Sequence, residues 1–360
     1  MLRNFYHKFF PTPHFLTPLS FGLDISDESI KFVELTNANF GIRIGKYGER
    51  KIPPGVIESG KIKDLAKMKD ILTSLKKEEG IKFVRVSLPE EQVYLFKLHL
   101  AKMDLKNVRE GIELVLEEHI PIQAENATFD YEILSENAES LDLEVIAAPR
   151  EVIENYLAVF EESSIGVLSF ELEAQAIFRS VVQTGDLSTY MIVDFGEKRT
   201  GIFIVSNAVV SFASTLDFGG ITLTEMIEKN FKINFIEAEK MKMEYGLKRN
   251  TDNKEIFPVV LNGVSILRDE LVKHFLYWHT HKNEDGVNPP AIKKIILCGG
   301  DSNLAGLVEY LSVSMKSKVE IGNVWTNIVN TEKYTPELDF EKSLSYATAI
   351  GLALRNFIYD

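Results

Sequence analysis

Cysteine is almost absent from this chain: Cys298 stands alone among 360 residues. An intramolecular disulfide is therefore excluded, and a reducing compartment is expected. Positive charge is also short, with 40 lysine and arginine residues against 53 aspartate and glutamate and a net charge of −13. That balance argues against general nucleic-acid binding. No run of about 18 apolar residues occurs, so no membrane-spanning helix is expected. Low-complexity segments and solenoid repeats are missing. No Ser-His-Asp set stands out, and no carboxylate pair suited to glycoside chemistry. His274, His279 and His281 have no second cluster to complete a metal site, and they are expected to be surface histidines. The first residues lack the apolar core and small-residue cleavage site of a signal peptide. Phe5, Tyr6, Phe9, Phe10 and Phe15 sit there among Arg3, His7 and Lys8. Residues 1–19 are expected to form a tail that is loosely ordered or packs on its own domain; contact with a membrane surface is the alternative.

What the chain does carry is one pattern written twice. Phe21-Gly22-Leu23-Asp24-Ile25 leads through Ser26-Asp27-Glu28-Ser29 into Ile30-Lys31-Phe32-Val33. Tyr190-Met191-Ile192-Val193-Asp194 leads through Phe195-Gly196-Glu197-Lys198-Arg199 into Thr200-Gly201-Ile202-Phe203. Each is an apolar strand, an Asp near its end, a polar turn and a second apolar strand. Downstream, Ile295-Ile296-Leu297-Cys298 runs into Gly299-Gly300, then Asp301-Ser302-Asn303 and a helical pattern from Leu304. Small residues in tight turns let backbone N–H groups approach phosphate oxygens. Two Asp carboxylates on rigid strand ends can hold a hydrated Mg²⁺ from opposite sides. Either hairpin alone is as well explained by an ordinary Asp turn. The pair, followed by the Gly-Gly turn, is more specific.

Between these landmarks the pattern alternates strands and helices. Leu65, Met68, Ile71, Leu72 and Leu75 have helical spacing, ended by Gly80. Residues 97–160 read β-α-β-β-α, a small domain spliced into a first lobe that comprises 20–96 and 161–188. Residues 189–360 form a second lobe. Thr222 and Glu225 look like a capping box. A long helix is expected over roughly 258–281, and a last helix rich in small residues over 342–358, packing back towards the first lobe. Inter-lobe crossings are expected near Glu171–Arg179 and at that last helix.

The chain resembles the PilM family, the actin-like proteins of type IV pilus and related secretion machines. Beyond the two hairpins, the resemblance rests on Glu117-Glu118-His119-Ile120-Pro121-Ile122, Asp130-Tyr131, Ala147-Ala148-Pro149 and Gly219-Gly220-Ile221-Thr222. It continues through Ala238-Glu239-Lys240-Met241-Lys242, Cys298-Gly299-Gly300, Leu304-Ala305-Gly306-Leu307 and Ala349-Ile350-Gly351-Leu352-Ala353-Leu354-Arg355. It implies an α/β, actin-like (ribonuclease H-like) two-lobed ATPase fold with the small inserted domain in the first lobe.

By that resemblance the protein binds ATP with Mg²⁺. The nucleotide would meet Asp24, Ser26, Ser29, Lys31, Asp194, Gly196, Thr200, Gly219, Gly220, Glu239, Lys242, Gly299, Gly300 and Asn303. Asp24 and Asp194 would hold the metal through water, and Glu239 and Lys242 would reach the nucleoside. No residue positioned to activate a nucleophile is identifiable, so hydrolysis is expected to be slow at most. The partner implied is a PilN-like single-pass inner-membrane protein, captured through its cytoplasmic N-terminal peptide, alongside other pilus platform proteins and possible self-association. The protein would be cytoplasmic and recruited peripherally to the inner membrane. Two rival functions share the fold. One is an FtsA-like division protein, which would normally continue into a linker and an amphipathic membrane helix. The other is a small-molecule kinase. Asp27 and Glu28 depart from the family's first turn, which carries Gly and Ser. If they faced the ligand they would weaken phosphate binding, and Lys198 and Arg199 in the second turn could offset them.

Overall fold

Alternation of apolar residues around Asp24 builds the first hairpin. β1 (Phe21–Ile25) pairs antiparallel with β2 (Ser29–Ala38), placing Asp24 opposite Lys31. The computed structural model describes residues 18–38, 41–248, 254–282, 288–328 and 334–357. The expected tail over 1–19 falls almost wholly outside the described residues.

β3 (Gly41–Lys51) continues the meander, a two-residue hairpin follows as β4 (Ile57–Glu58) and β5 (Lys61–Ile62), and α1 (Leu65–Glu79) leads to β6 (Phe83–Leu88). The small unit contains β7 (Tyr94–Ala101), α2 (Val108–His119), β8 (Ala127–Glu136) and β9 (Ser140–Pro149). α3 (Arg150–Glu162), β10 (Gly166–Leu172) and α4 (Glu173–Val181) return the chain to the first sheet. The second half runs β11 (Thr189–Phe195), β12 (Thr200–Ser206), β13 (Val209–Leu216), α5 (Gly220–Phe231), α6 (Phe235–Tyr245) and α7 (Ile256–Thr280). It ends β14 (Ile292–Cys298), α8 (Leu307–Met315), β15 (Val319–Ile321), α9 (Phe340–Ser343) and α10 (Ala347–Leu354).

The two large sheets repeat one topology. Their orders are β3-β2-β1-β6-β10 and β13-β12-β11-β14-β15. In each, three antiparallel strands are followed by two parallel ones. The duplicated hairpins are therefore equivalent pieces of two lobes, and Asp24 and Asp194 occupy equivalent strand ends.

Packing corrects two expectations. The final helix of the β-α-β-β-α unit was expected in the small domain. Instead Val152, Tyr156, Val159 and Phe160 of α3 join Met68, Leu72 and Leu75 of α1 in the first lobe's core. The small unit keeps its own cluster, where Ile112 and Leu116 of α2 cover Leu141, Leu143 and Val145 of β9. The capping box at Thr222 and Glu225 is also absent. α5 begins earlier, at Gly220, because the N–H groups of Gly220 and Ile221 bond the carbonyls of Gly196 and Glu197 at 3.0 and 2.8 Å. The second turn itself caps the helix.

α10 joins the lobes. Its residues Ala349, Ile350 and Leu354 share one buried cluster with Val33 and Ile177 from the first lobe and Ile192 and Phe203 from the second.

Candidate functional site

Both Asp hairpins and the Gly299-Gly300 turn open onto one cleft between the lobes, with a volume of about 480 Å³. Ser26, Ser29, Lys31, Gly196, Glu239 and Lys242 line it with Asp24, Asp194, Gly299 and Gly300. That volume lies within the usual range for small-molecule sites.

The cleft floor is a set of carboxylates mounted on strand ends. Asp24 Oδ1 accepts a hydrogen bond from Ser87 Oγ at 2.9 Å. Burial raises the Asp24 carboxyl above its ordinary range, against the pull of Lys31. Asp194 is pushed up to about 7 by burial and by repulsion from Asp24. Glu90 follows the end of β6 and is also pushed up to about 7 by burial; its Oε1 accepts from the Ala174 N–H at 2.9 Å. Glu173 opens α4 at the end of β10. Burial, then Asp24, Glu90 and Asp194, hold it well above the carboxylate range. Four crowded carboxyls with one nearby ammonium lack positive charge.

A hydrated divalent cation fits that shortage. The donors are hard oxygens. Among the described residues, no three His, Cys, Asp or Glu side chains stand close enough to cage a bare metal.

The turns around the floor are tight for stated reasons. Gly299 has φ +87°, and a Cβ there would lie 2.3 Å from the Phe195 carbonyl oxygen and 2.7 Å from Asp194 Oδ1. Only glycine lets β14 turn away beneath Asp194. A Cβ on Gly220 would sit 2.0 Å from Asp301 Oδ1. Gly300 differs: its nearest neighbour would be Ser345 Cβ at 3.6 Å, ordinary contact distance.

Several expected ligand groups are committed elsewhere. Thr200 is fully buried, and its Oγ1 donates to the Phe218 carbonyl at 2.7 Å, so it closes the second turn internally. Asn303 Nδ2 donates to the carbonyls of Gly300 and Glu341 at 3.2 and 2.9 Å, tying the turn to α9. Lys242 is buried, and its ammonium meets the Gly220 carbonyl at 3.1 Å, Asp301 Oδ1 at 2.8 Å and Glu239 Oε2 at 2.9 Å. It braces the α5–α6 side of the cleft with all three donors engaged. Gly219 sits behind the second turn, where a Cβ would be 2.5 Å from the Glu197 carbonyl oxygen. Ser26 Oγ donates to the Ser29 carbonyl at 3.2 Å, and Ser29 Oγ accepts from Lys31 Nζ at 3.1 Å.

Sequence reasoning missed Ser87, Glu90, Glu173 and Asp301. The available signal was position: Ser87, Glu90 and Glu173 lie at or just beyond the carboxyl ends of parallel strands, where α/β sheets collect ligands. His274 was also misplaced. It is buried beneath Phe212, and its Nε2 lies 2.9 Å from Glu270 Oε1.

The family model for "Type IV pilus assembly protein PilM" matches residues 22–357. A solved PilM-PilN type IV pilus biogenesis complex has 22% identity and a TM-score of 0.79, covering 95% of this chain and 99% of the other. MreB5 of Spiroplasma citri bound to ADP has 12% identity and a TM-score of 0.58, covering 95% of this chain and 97% of its own. Among curated proteins, cell division protein FtsA of Buchnera aphidicola subsp. Baizongia pistaciae (strain Bp) is 26% identical over 230 residues, 58% of this chain and 54% of that protein. The chain spans about half the length of the curated relatives it matches.

Proposed function

The chain belongs to the type IV pilus assembly protein PilM family and has the actin-like fold, and on that premise we propose that it is a nucleotide-binding scaffold of a pilus, competence or secretion platform. The observation that carries this reading is the pairing of Asp24 and Asp194 at equivalent strand ends of two lobes, above the Gly299 turn. ATP with Mg²⁺ is the ligand that matches a carboxylate floor short of cations. Asp24 and Asp194 would hold the hydrated metal, and the Gly300 edge and Glu239 would face the nucleoside. The bound metal would neutralise phosphate charge. A slow hydrolysis would draw on Glu90, whose carboxyl, pushed up to about 7 by burial, suits acid–base work near neutrality. The MreB5 structure supports the reading, since that protein carries ADP within the same fold.

The Gly300→Val variant tests it. The side chain has room in the protein but projects where a nucleotide would pass. The circular dichroism spectrum and melting temperature should stay near native, while affinity for a fluorescent ATP analogue with Mg²⁺ should fall at least tenfold. Equal affinity would make the turn merely structural, and a wild type that ignores millimolar ATP would end the nucleotide reading.

The scaffold's partner is PilN-like, a single-pass membrane protein that recruits this cytoplasmic chain peripherally through its N-terminal peptide. The solved PilM-PilN complex supports this. So does an acidic face on the small unit. Opposite its apolar cluster, β8 and β9 present Asp130, Glu132, Asp142 and Glu144. Glu144 is pushed up to about 7 by burial and by Glu132 across the strand pair. At the β7 edge this face meets the second lobe, where Lys97 Nζ donates to Ser211 Oγ at 3.4 Å. A basic peptide on that face would relieve Glu144. Converting the exposed Asp130 and Glu132 to lysine should weaken binding of a labelled basic N-terminal peptide about tenfold by fluorescence anisotropy. Unchanged affinity would move the peptide site elsewhere. No helix among the described residues is long and apolar enough to cross a membrane.

A further inference from the structure

The residues that make the two turns atypical meet each other across the cleft. Arg199 Nη2 donates to Asp27 Oδ2 at 3.0 Å, its Nη1 donates to Glu91 Oε1, and its Nε lies 3.4 Å from Asp217 Oδ1. Lys198 Nζ pairs with Glu28 Oε1. Farther out, Lys51 Nζ lies 3.5 Å from Glu197 Oε2. Asp27 is aimed by the β4–β5 hairpin, whose Ser59 and Gly60 N–H groups donate to its two carboxylate oxygens at 3.0 and 2.9 Å. Asp27, Glu28 and Glu91 belong to the first lobe, and Lys198 and Arg199 to the second.

The pairs of Arg199 with Asp27 and Glu91 are not open surface bridges, whereas Lys198 is half exposed. The Asp27 side chain is 9% exposed and that of Arg199 23%. The same five side chains line the cleft. A phosphate entering that cleft meets three acids and two cations already satisfied by one another. Left so, the acids repel it. A terminal phosphate carries more charge and more acceptor oxygens than one carboxylate, and it suits the guanidinium fork.

We propose that the two turns form a charge clasp between the lobes, and that the terminal phosphate of a bound nucleotide opens it by taking Lys198 and Arg199 from Glu28, Asp27 and Glu91. The clasp converts occupancy of the cleft into a change in how the lobes are held, an output a scaffold can pass to its partner. This inference rests on the nucleotide reading above.

Its test separates the two. Lys51→Cys with Glu197→Cys places a thiol on each lobe beside an intact clasp, and the chain's own Cys298 is buried. A short bismaleimide should cross-link the free protein rapidly. Adding Arg199→Gln should slow that step several-fold, and saturating ATP with Mg²⁺ should slow it about tenfold. In parallel, Lys198→Gln and Arg199→Gln should each raise the Kd for a fluorescent ATP analogue about tenfold, while Glu28→Gln should lower it several-fold. Cross-linking indifferent to Arg199 overturns the clasp. Cross-linking indifferent to bound nucleotide, or unaltered affinities, overturns the exchange. Failure of the wild type to bind the analogue overturns the nucleotide reading and the exchange together, while the Arg199 comparison still decides the clasp.

Discussion

Gly351→Val is expected to remove more than about 3 kcal/mol of stability and to deplete soluble protein, although Gly351 does not line the cleft. A Cβ on Gly351 would lie 1.7 Å from the Ala176 carbonyl oxygen and 2.4 Å from its carbon. On the other side of the same helix, a Cβ on Gly22 would lie 1.9 Å from the Ala349 carbonyl oxygen. Backbone faces backbone at both contacts, so no rotamer change makes room. Relief requires α10 to move away from α4, and the close backbone contact with Gly22 of β1 on its other side blocks that movement. Its residues from Ala347 to Leu354 are all buried, so such a shift opens the cluster shared by the two lobes. Arg179, whose Nη1 donates to the Gly351 carbonyl at 2.9 Å, would lose its geometry as well. Urea unfolding followed by tryptophan fluorescence and circular dichroism measures the loss. An unchanged midpoint would show that α10 is not the close-packed link between lobes. Gly300→Val is the control, because its Cβ meets nothing closer than 3.6 Å.

That contrast also marks how far the sequence speaks. The small residues of 347–354 announce close helix packing, and an Asp between apolar runs announces each hairpin, because both signals are local. The equivalence of the two sheets follows from the hairpin duplication, although the order β1-β6-β10 cannot be read from any window. Local propensity fails where a distant group supplies the partner. Thr222 and Glu225 have capping-box spacing, yet α5 starts at Gly220 because carbonyls of the second turn take its first N–H groups. Lys242 stands in a polar helical stretch and was expected to reach a ligand, but Asp301, some sixty positions away, draws it into the interior. The apolar stripe of α3 is plain; which core it fills is decided by α1, on the far side of the inserted unit. Glu90 and Glu173 were invisible for the same reason. Each is an ordinary carboxylate after a strand until parallel pairing of β1, β6 and β10 sets them beside Asp24.

Replacing Asp194 by asparagine is expected to act in opposite directions on the stability of the free protein and on its gain from ligand. In the free protein, burial and Asp24 hold the Asp194 carboxyl at about 7, above its unfolded value of 3.8. The folded state therefore binds more protons than the unfolded state across that window. Stability is greatest below the lower value and declines as pH rises towards 7. Glu90, also held at about 7, acts in the same sense. Asparagine has no charge to desolvate, so Asp194→Asn should melt higher than wild type at pH 8. The gain should be about 1–3 kcal/mol once screening in the open cleft is allowed for, and smaller at pH 5.5. With ATP and Mg²⁺ that advantage is offset. A ligand at a hundredfold excess over its Kd stabilises the wild type by about 2.7 kcal/mol. The variant should keep little of that, because one of the two carboxylates proposed to hold the metal has lost its charge. Thermal melts at pH 5.5 and 8, with and without ATP and Mg²⁺, give all four values. An undiminished ligand shift in the variant would remove Asp194 from metal binding. A variant that melts lower than wild type in the free state at pH 8 would refute the electrostatic account of the cleft floor. If both expectations hold, the strain of a buried, like-charged pair is what bound cation relieves, and nucleotide affinity should rise with pH as the floor ionises.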